Sequence, residues 1–113
     1  MATVLVADDD PGICAFVTDL LTDAGYAVRC VPDGAAALTE VVRARPDLVL
    51  SDIQMPRLDG LALAAHLRPL GVPVVLMSAS FFVGVPDLPF VGKPFDLVAL
   101  LDAVARALAA PVA

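Results

Sequence analysis

A small set of side chains in this chain can do chemistry together: the run Asp8-Asp9-Asp10, Asp52 after Ser51, the hydroxyl of Ser78, and Lys93. Lys93 is the only lysine; the acids are twelve Asp and a single Glu, Glu40. Carboxylates brought to one place repel, by about 4 kcal/mol for two charges some 4 Å apart at an effective dielectric near 20. A cation or a proton must offset that. With oxygen ligands and no His or Cys in these runs, the fitting ion is hard and divalent, Mg²⁺ or Mn²⁺ in its place. An acidic Mg²⁺ site beside a lysine and a hydroxyl suits phosphoryl transfer, in which positive charge neutralises the phosphoryl oxygens while a carboxylate attacks in line.

For these residues to meet, the intervening chain must bring their positions to one edge. Thr3–Ala7 is a near-continuous apolar run of strand length. A helical pattern follows from Pro11, with Ile13, Phe16, Val17, Leu20, Leu21 and Ala24 expected on its inner face. Asp10 suits its N-cap, Pro11 its first position and Gly25 the residue past its end. Tyr26–Val31 reads as a second strand, closed by the turn Pro32-Asp33-Gly34. A second helix is expected over Ala35–Ala44, with Leu38, Val41 and Val42 inward and Pro46 closing it. Leu48–Ser51, Pro73–Met77 and Phe90–Gly92 read as further strands, and Leu61–Arg68 as a helix. A last helix, capped by Asp96, carries Leu97, Leu100, Leu101, Val104 and Leu108 on one face.

Strands without polar alternation, each followed by a helix, imply a parallel sheet covered on both faces, an α/β doubly wound sandwich. Ligands bind such sheets beyond the carboxyl ends of the strands. Asp8, Asp9 and Asp10 follow the first strand, Asp52 the third, Ser78 the fourth and Lys93 the fifth. The carboxylates, the hydroxyl and the lone lysine therefore converge.

Composition bounds the alternatives. At 113 residues the chain reads as one domain, 1–113. An apolar share of 59% excludes a disordered chain. The net charge of −6 argues against direct nucleic-acid binding. Mean hydropathy is +0.86, yet the uncharged run Pro69–Pro86 is broken by three prolines and two glycines, and suits a buried strand between turns better than a membrane span. No targeting segment precedes Asp8, and a cytoplasmic protein is expected. Cys14 and Cys30 are not in a C-x-x-C pair and are expected as two free, reduced thiols.

Four stretches, Val4–Pro11, Asp47–Pro56 with Asp59-Gly60, Pro73–Ala79, and Lys93-Pro94-Phe95, resemble the signatures of the response-regulator receiver domain of two-component signalling. They stand in order at the expected strand ends and cover nearly the whole chain. The resemblance implies a flavodoxin-like five-stranded sheet of order 2-1-3-4-5. It also implies a phosphorylation-activated switch in a phosphorelay, with weak self-phosphorylation and self-dephosphorylation rather than dedicated metabolic enzymology. Asp52 is then the phosphoacceptor, served by a sensor histidine kinase or a histidine phosphotransfer protein. Asp9, Asp52 and the backbone carbonyl of Gln54 hold Mg²⁺, with Asp8 acting through a metal-bound water. Lys93 pairs with Asp52 and then with the phosphoryl oxygens, Ser78 hydrogen-bonds the new group, and Phe90 is the switch aromatic. The Lys93–Pro94 bond is expected to be cis.

Other residues have plainer readings. Asp10 caps a helix, Asp59 sets the Asp-Gly turn, and His66 is exposed with nothing to activate it. The segment between Ser78 and Lys93 departs from the family. Gly84, Pro86 and Pro89 interrupt it, and a proline inside a helix costs about 3 kcal/mol. A short, irregular or absent fourth helix is expected there, with Phe81 or Phe82 as a partner-binding patch. Two alternatives compete with the switch. One is a degenerate receiver that binds partners independently of phosphorylation. The other is a haloacid-dehalogenase-type phosphatase, suggested by Asp8-x-Asp10 but lacking a later acidic pair.

Overall fold

The apolar runs become strands and the amphipathic segments helices in a computed structural model. It describes residues 1–78, 90–92 and 97–109, of which Ser78, Phe90–Gly92 and Leu97 are described as backbone only. The order is β1 (Thr3–Ala7), α1 (Pro11–Asp23), β2 (Ala27–Val31), α2 (Gly34–Arg43), β3 (Leu48–Asp52), α3 (Gly60–Leu67), a 3₁₀ turn (Arg68–Leu70), β4 (Val74–Ser78), β5 (Phe90–Gly92) and α4 (Leu97–Ala109). The strands form one sheet in the order β2-β1-β3-β4-β5, every pair parallel.

The two-residue period of a strand sends alternate side chains to opposite faces, and both faces are dry here. Val4 and Val6, Leu48 and Leu50, Val75 and Met77 face one way, against Val17 and Leu21 of α1 and Leu100 and Val104 of α4. Leu5 and Ala7, Val49, Val74 and Leu76 face the other, against Ala37 and Val41 of α2 and Leu63, Ala64 and Leu67 of α3. Each fully buried leucine contributes roughly 1.5–3 kcal/mol relative to an exposed one. No helix among the described residues is long and apolar enough to cross a membrane.

The architecture and the spans match the expected ones closely, while three inner-face assignments do not: Ala24, the C-cap of α1, is exposed, as are Phe16 and Val42. Phe16 is 46% exposed and Val42 78% exposed. The buried positions of α1 are Val17 and Leu21, and Phe16 lies about 100° around the helix from Val17. In α2 the buried positions are Gly34, Ala37 and Val41, so small residues occupy the inner stripe and Val42 falls beside it.

Lys93, Pro94, Asp96 and the Ala79–Pro89 segment lie outside the described residues. So do the side chains of Ser78 and Phe90. The expectations of a short, irregular or absent fourth helix, of a patch at Phe81 or Phe82, of the cis bond and of the Asp96 cap fall there.

Candidate functional site

β1 ends at Ala7 and hands the chain directly to Asp8, whose amide N–H donates to the Val31 carbonyl at 3.1 Å. That bond carries the β1–β2 register one residue past the strand. The Asp8 carboxylate accepts the Asp10 N–H at 2.9 Å. The Asp10 carboxylate turns away to cap α1, accepting the amides of Gly12 at 2.8 Å and Ile13 at 3.4 Å. Asp10 is thus a cap, as expected, and the Asp8-x-Asp10 pairing that a phosphatase would need is spent on the helix.

β3 delivers Asp52 at its last residue, and Ile53 continues the ladder by donating to Met77 at 3.0 Å. Asp8, Asp9 and Asp52 come together, one carboxylate oxygen from each lying within 4.8 Å of the others. Asp8 and Asp52 are buried, at 2% and 9% exposure, while Asp9 is exposed. The donor set is all oxygen, and solvent reaches it from the Asp9 side. An open depression of about 540 Å³ lies there, lined by Asp9, Ile53, Gln54, Met55, Pro56 and Asp59. These features fit a hard divalent cation, which takes a few carboxylates and keeps several waters. The backbone places Ser78 one residue past Met77, the β4 partner of Asp52, and opposite Gly92 of β5.

The loop from Ile53 to Asp59 is held at several points that the sequence does not announce. Arg57 has a φ of 68°, and around it the Leu58 N–H donates to the Pro56 carbonyl at 2.8 Å, closing a γ-turn. For a residue with a Cβ this left-handed backbone costs roughly 1–2 kcal/mol. The Arg57 side chain reaches Asp33, with Nε at 2.9 Å and Nη2 at 2.8 Å from Oδ2. The other Asp33 oxygen accepts the Ala36 N–H at 2.7 Å and caps α2. The Ala36 amide first, and then the Arg57 guanidinium, hold the Asp33 carboxyl below its ordinary range.

Two glycines complete the hold. A Cβ on Gly34 would stand 2.1 Å from the Leu58 carbonyl oxygen, and one on Gly60 would stand 2.2 Å from that of Asp52. Gly60 also donates its N–H to the Ile53 carbonyl at 2.8 Å. Asp59 serves as the N-cap of α3, accepting from Ala62 at 2.8 Å, in addition to preceding the glycine turn. His66 is exposed on α3. Asp33 and Arg57 lie 24 residues apart, so no local spacing joins them.

The cysteines require a correction. Cys14 and Cys30 are bonded to each other, with Cα atoms 6.2 Å apart, rather than free thiols. The cause is spatial. Val28 and Cys30 alternate toward the α1 side of β2, and Cys14 packs on the same core from the first turns of α1. The period-2 position of Cys30 beside Val28 is the signal that a search for C-x-x-C passes over.

The profile of the response regulator receiver domain matches residues 4–105. This chain belongs to the response regulator receiver family. It is 35% identical to the transcriptional regulatory protein GlrR of Escherichia coli K12, over 95% of this chain and 26% of that protein. It is 36% identical to the response regulator MprA of Mycobacterium leprae, over 93% of this chain and 50% of that one. Its fold superposes on the Vibrio cholerae chemotaxis protein CheY4 with a TM-score of 0.83 at 29% identity, covering 95% of this chain and 98% of that one. The receiver domain of Francisella response regulator 1452 gives a TM-score of 0.85 at 28% identity, covering 96% and 98%. This receiver domain thus spans a quarter to a half of the curated relatives named here and nearly the whole of the solved receiver structures.

Proposed function

We propose that this receiver domain is a phosphorylation-activated switch whose phosphoacceptor is Asp52. The Asp8, Asp9 and Asp52 cluster at the carboxyl edge of the sheet carries the reading. An Asp52 carboxylate oxygen attacks the phosphorus of a kinase or phosphotransfer-protein phosphohistidine. As the new O–P bond forms, the P–N bond breaks and the imidazole leaves with the electron pair, to be protonated from solvent. Bound Mg²⁺, or Mn²⁺ in its place, held by Asp9, Asp52 and the Gln54 carbonyl with Asp8 behind a water, would supply positive charge against the carboxylates and the phosphoryl oxygens. Lys93 contributes the ammonium that steadies Asp52 and then the phosphoryl oxygens, and the Ser78 hydroxyl donates to the new group. Phe90 follows Ser78 inward. The added charge, roughly −1.5 to −2, is the signal that this receiver domain passes to a protein partner. A cytoplasmic setting belongs to the same proposal.

Incubation with Mg²⁺ and acetyl phosphate, followed by intact-mass measurement, tests the assignment. One base-labile phosphoryl adduct is expected on the wild type and none on Asp52→Asn. An unmodified wild type would point to a phosphorylation-independent binding module. An adduct on Asp8 would point to a phosphatase-like site.

A further inference from the structure

Among the described residues Arg57 is the one non-glycine with a positive φ, and what its side chain does explains why an arginine stands there. Glycine would take the left-handed φ of 68° with no Cβ penalty. An arginine at this position is compensated by its contacts, and those run to Asp33. Asp33 is buried to 3% exposure and uses both oxygens, one on the Ala36 amide of α2 and one on Arg57. The pair therefore ties the first turn of α2 to the loop that leaves β3. Behind it, Gly34 lets the Leu58 carbonyl sit against α2, and Gly60 lets α3 sit against the Asp52 carbonyl. The tied loop is the one that carries Gln54 and Met55 along the depression next to Asp9.

We propose that the Asp33–Arg57 pair is a positioning clamp, which holds the Ile53–Asp59 loop so that the Gln54 main chain stays in register with Asp9 and Asp52 for Mg²⁺. The inference rests on the reading of the acidic cluster as a Mg²⁺ site. Neither clamp residue touches the ion; both act through the loop. Outer-shell residues of this kind commonly set metal affinity by ten-fold or more.

The two roles open to Arg57 separate in Arg57→Gly, which relieves the backbone and removes the side chain. A clamp predicts that Arg57→Gly melts no lower than wild type yet binds Mg²⁺ about ten-fold more weakly. The probe is Mg²⁺ alone, followed by the amide shifts of Gln54 and Met55. Asp33→Asn keeps a capping side chain for α2, so it is expected to show the same loss of affinity with little change in melting. The double variant is expected to be no weaker than either single one, because both act through one contact.

Wild-type Mg²⁺ affinity in Arg57→Gly would overturn the clamp and leave the site reading standing. Additive losses in the double variant would also overturn it, as would a loss of affinity that merely tracks a lower melting temperature. Absence of saturable Mg²⁺ shifts in the wild type would overturn the reading of the cluster, and the clamp with it.

Discussion

On the α1 side of the sheet, the approach to the acidic cluster is secured covalently. Cys14 of α1 is bonded to Cys30 of β2, and Asp8 adjoins that link, its amide on Val31, the β2 residue after Cys30, and its carboxylate on Asp10, one residue before α1 starts. On the α2–α3 side, where Asp52 and Gln54 emerge, no covalent link is present among the described residues. An ion pair, a strained γ-turn and two glycine contacts do the holding. A covalent link acts largely on the unfolded chain, by shrinking its ensemble. An ion pair on a short loop acts on where a few backbone atoms stand in the folded one. The two sides therefore divide two tasks, one supplying stability and the other geometry.

The largest effects test whether the two faces are equal where neither device acts. Leu21→Ala on the α1 face and Leu63→Ala on the α3 face both remove fully buried side chains. Each is expected to cost about 2–5 kcal/mol in urea unfolding. If one costs under about 1 kcal/mol, that face is loosely packed and the contrast between the sides is one of packing instead.

Next in size comes the disulfide. Its 16-residue separation implies a chain-entropy contribution of about 3 kcal/mol. Cys30→Ser, or reduction of the wild type, is expected to lower the urea midpoint accordingly while leaving Mg²⁺ affinity in place. A change in Mg²⁺ affinity without a change in stability would reverse the division of tasks.

The smallest effect is electrostatic and appears in acid. The native Asp33 carboxyl is held below its ordinary range, so the unfolded chain takes up its proton more readily. Its contribution to stability is complete above the ordinary carboxylate range, near pH 4, and is lost as the pH falls from there through the depressed native value. The stability of Asp33→Asn should accordingly fall less steeply below pH 4 than that of wild type. Parallel acid-unfolding profiles would show that Asp33 gains nothing from Ala36 and Arg57.

The same contrast explains what could be read in the sequence. Rules that act over a few residues were legible: unbroken apolar strands, the Asp10 cap before Pro11, and the span of β5 all match the structure. The strand ends then brought Asp8, Asp9 and Asp52 together. Phe16 and Val42 were misplaced because counting apolar residues favours bulk, while α2 turns Gly34 and Ala37 inward instead. The disulfide leaves one trace, the period-2 position of Cys30 beside Val28, but no C-x-x-C spacing that marks its partner. The Asp33–Arg57 pair leaves none: it joins different elements at a separation of 24, where only the folded packing chooses partners.

The contact between Gly60 and the Asp52 carbonyl has a mechanical consequence. With α3 pressed against its main chain and no side chain between to yield, the end of β3 has a hard backstop. If Asp52 takes up the phosphoryl group as proposed, that contact blocks recoil of the strand toward α3. Sideways, Asp52 meets Met77 of β4 and, beyond it, Val91 of β5, the strand at the edge of the sheet.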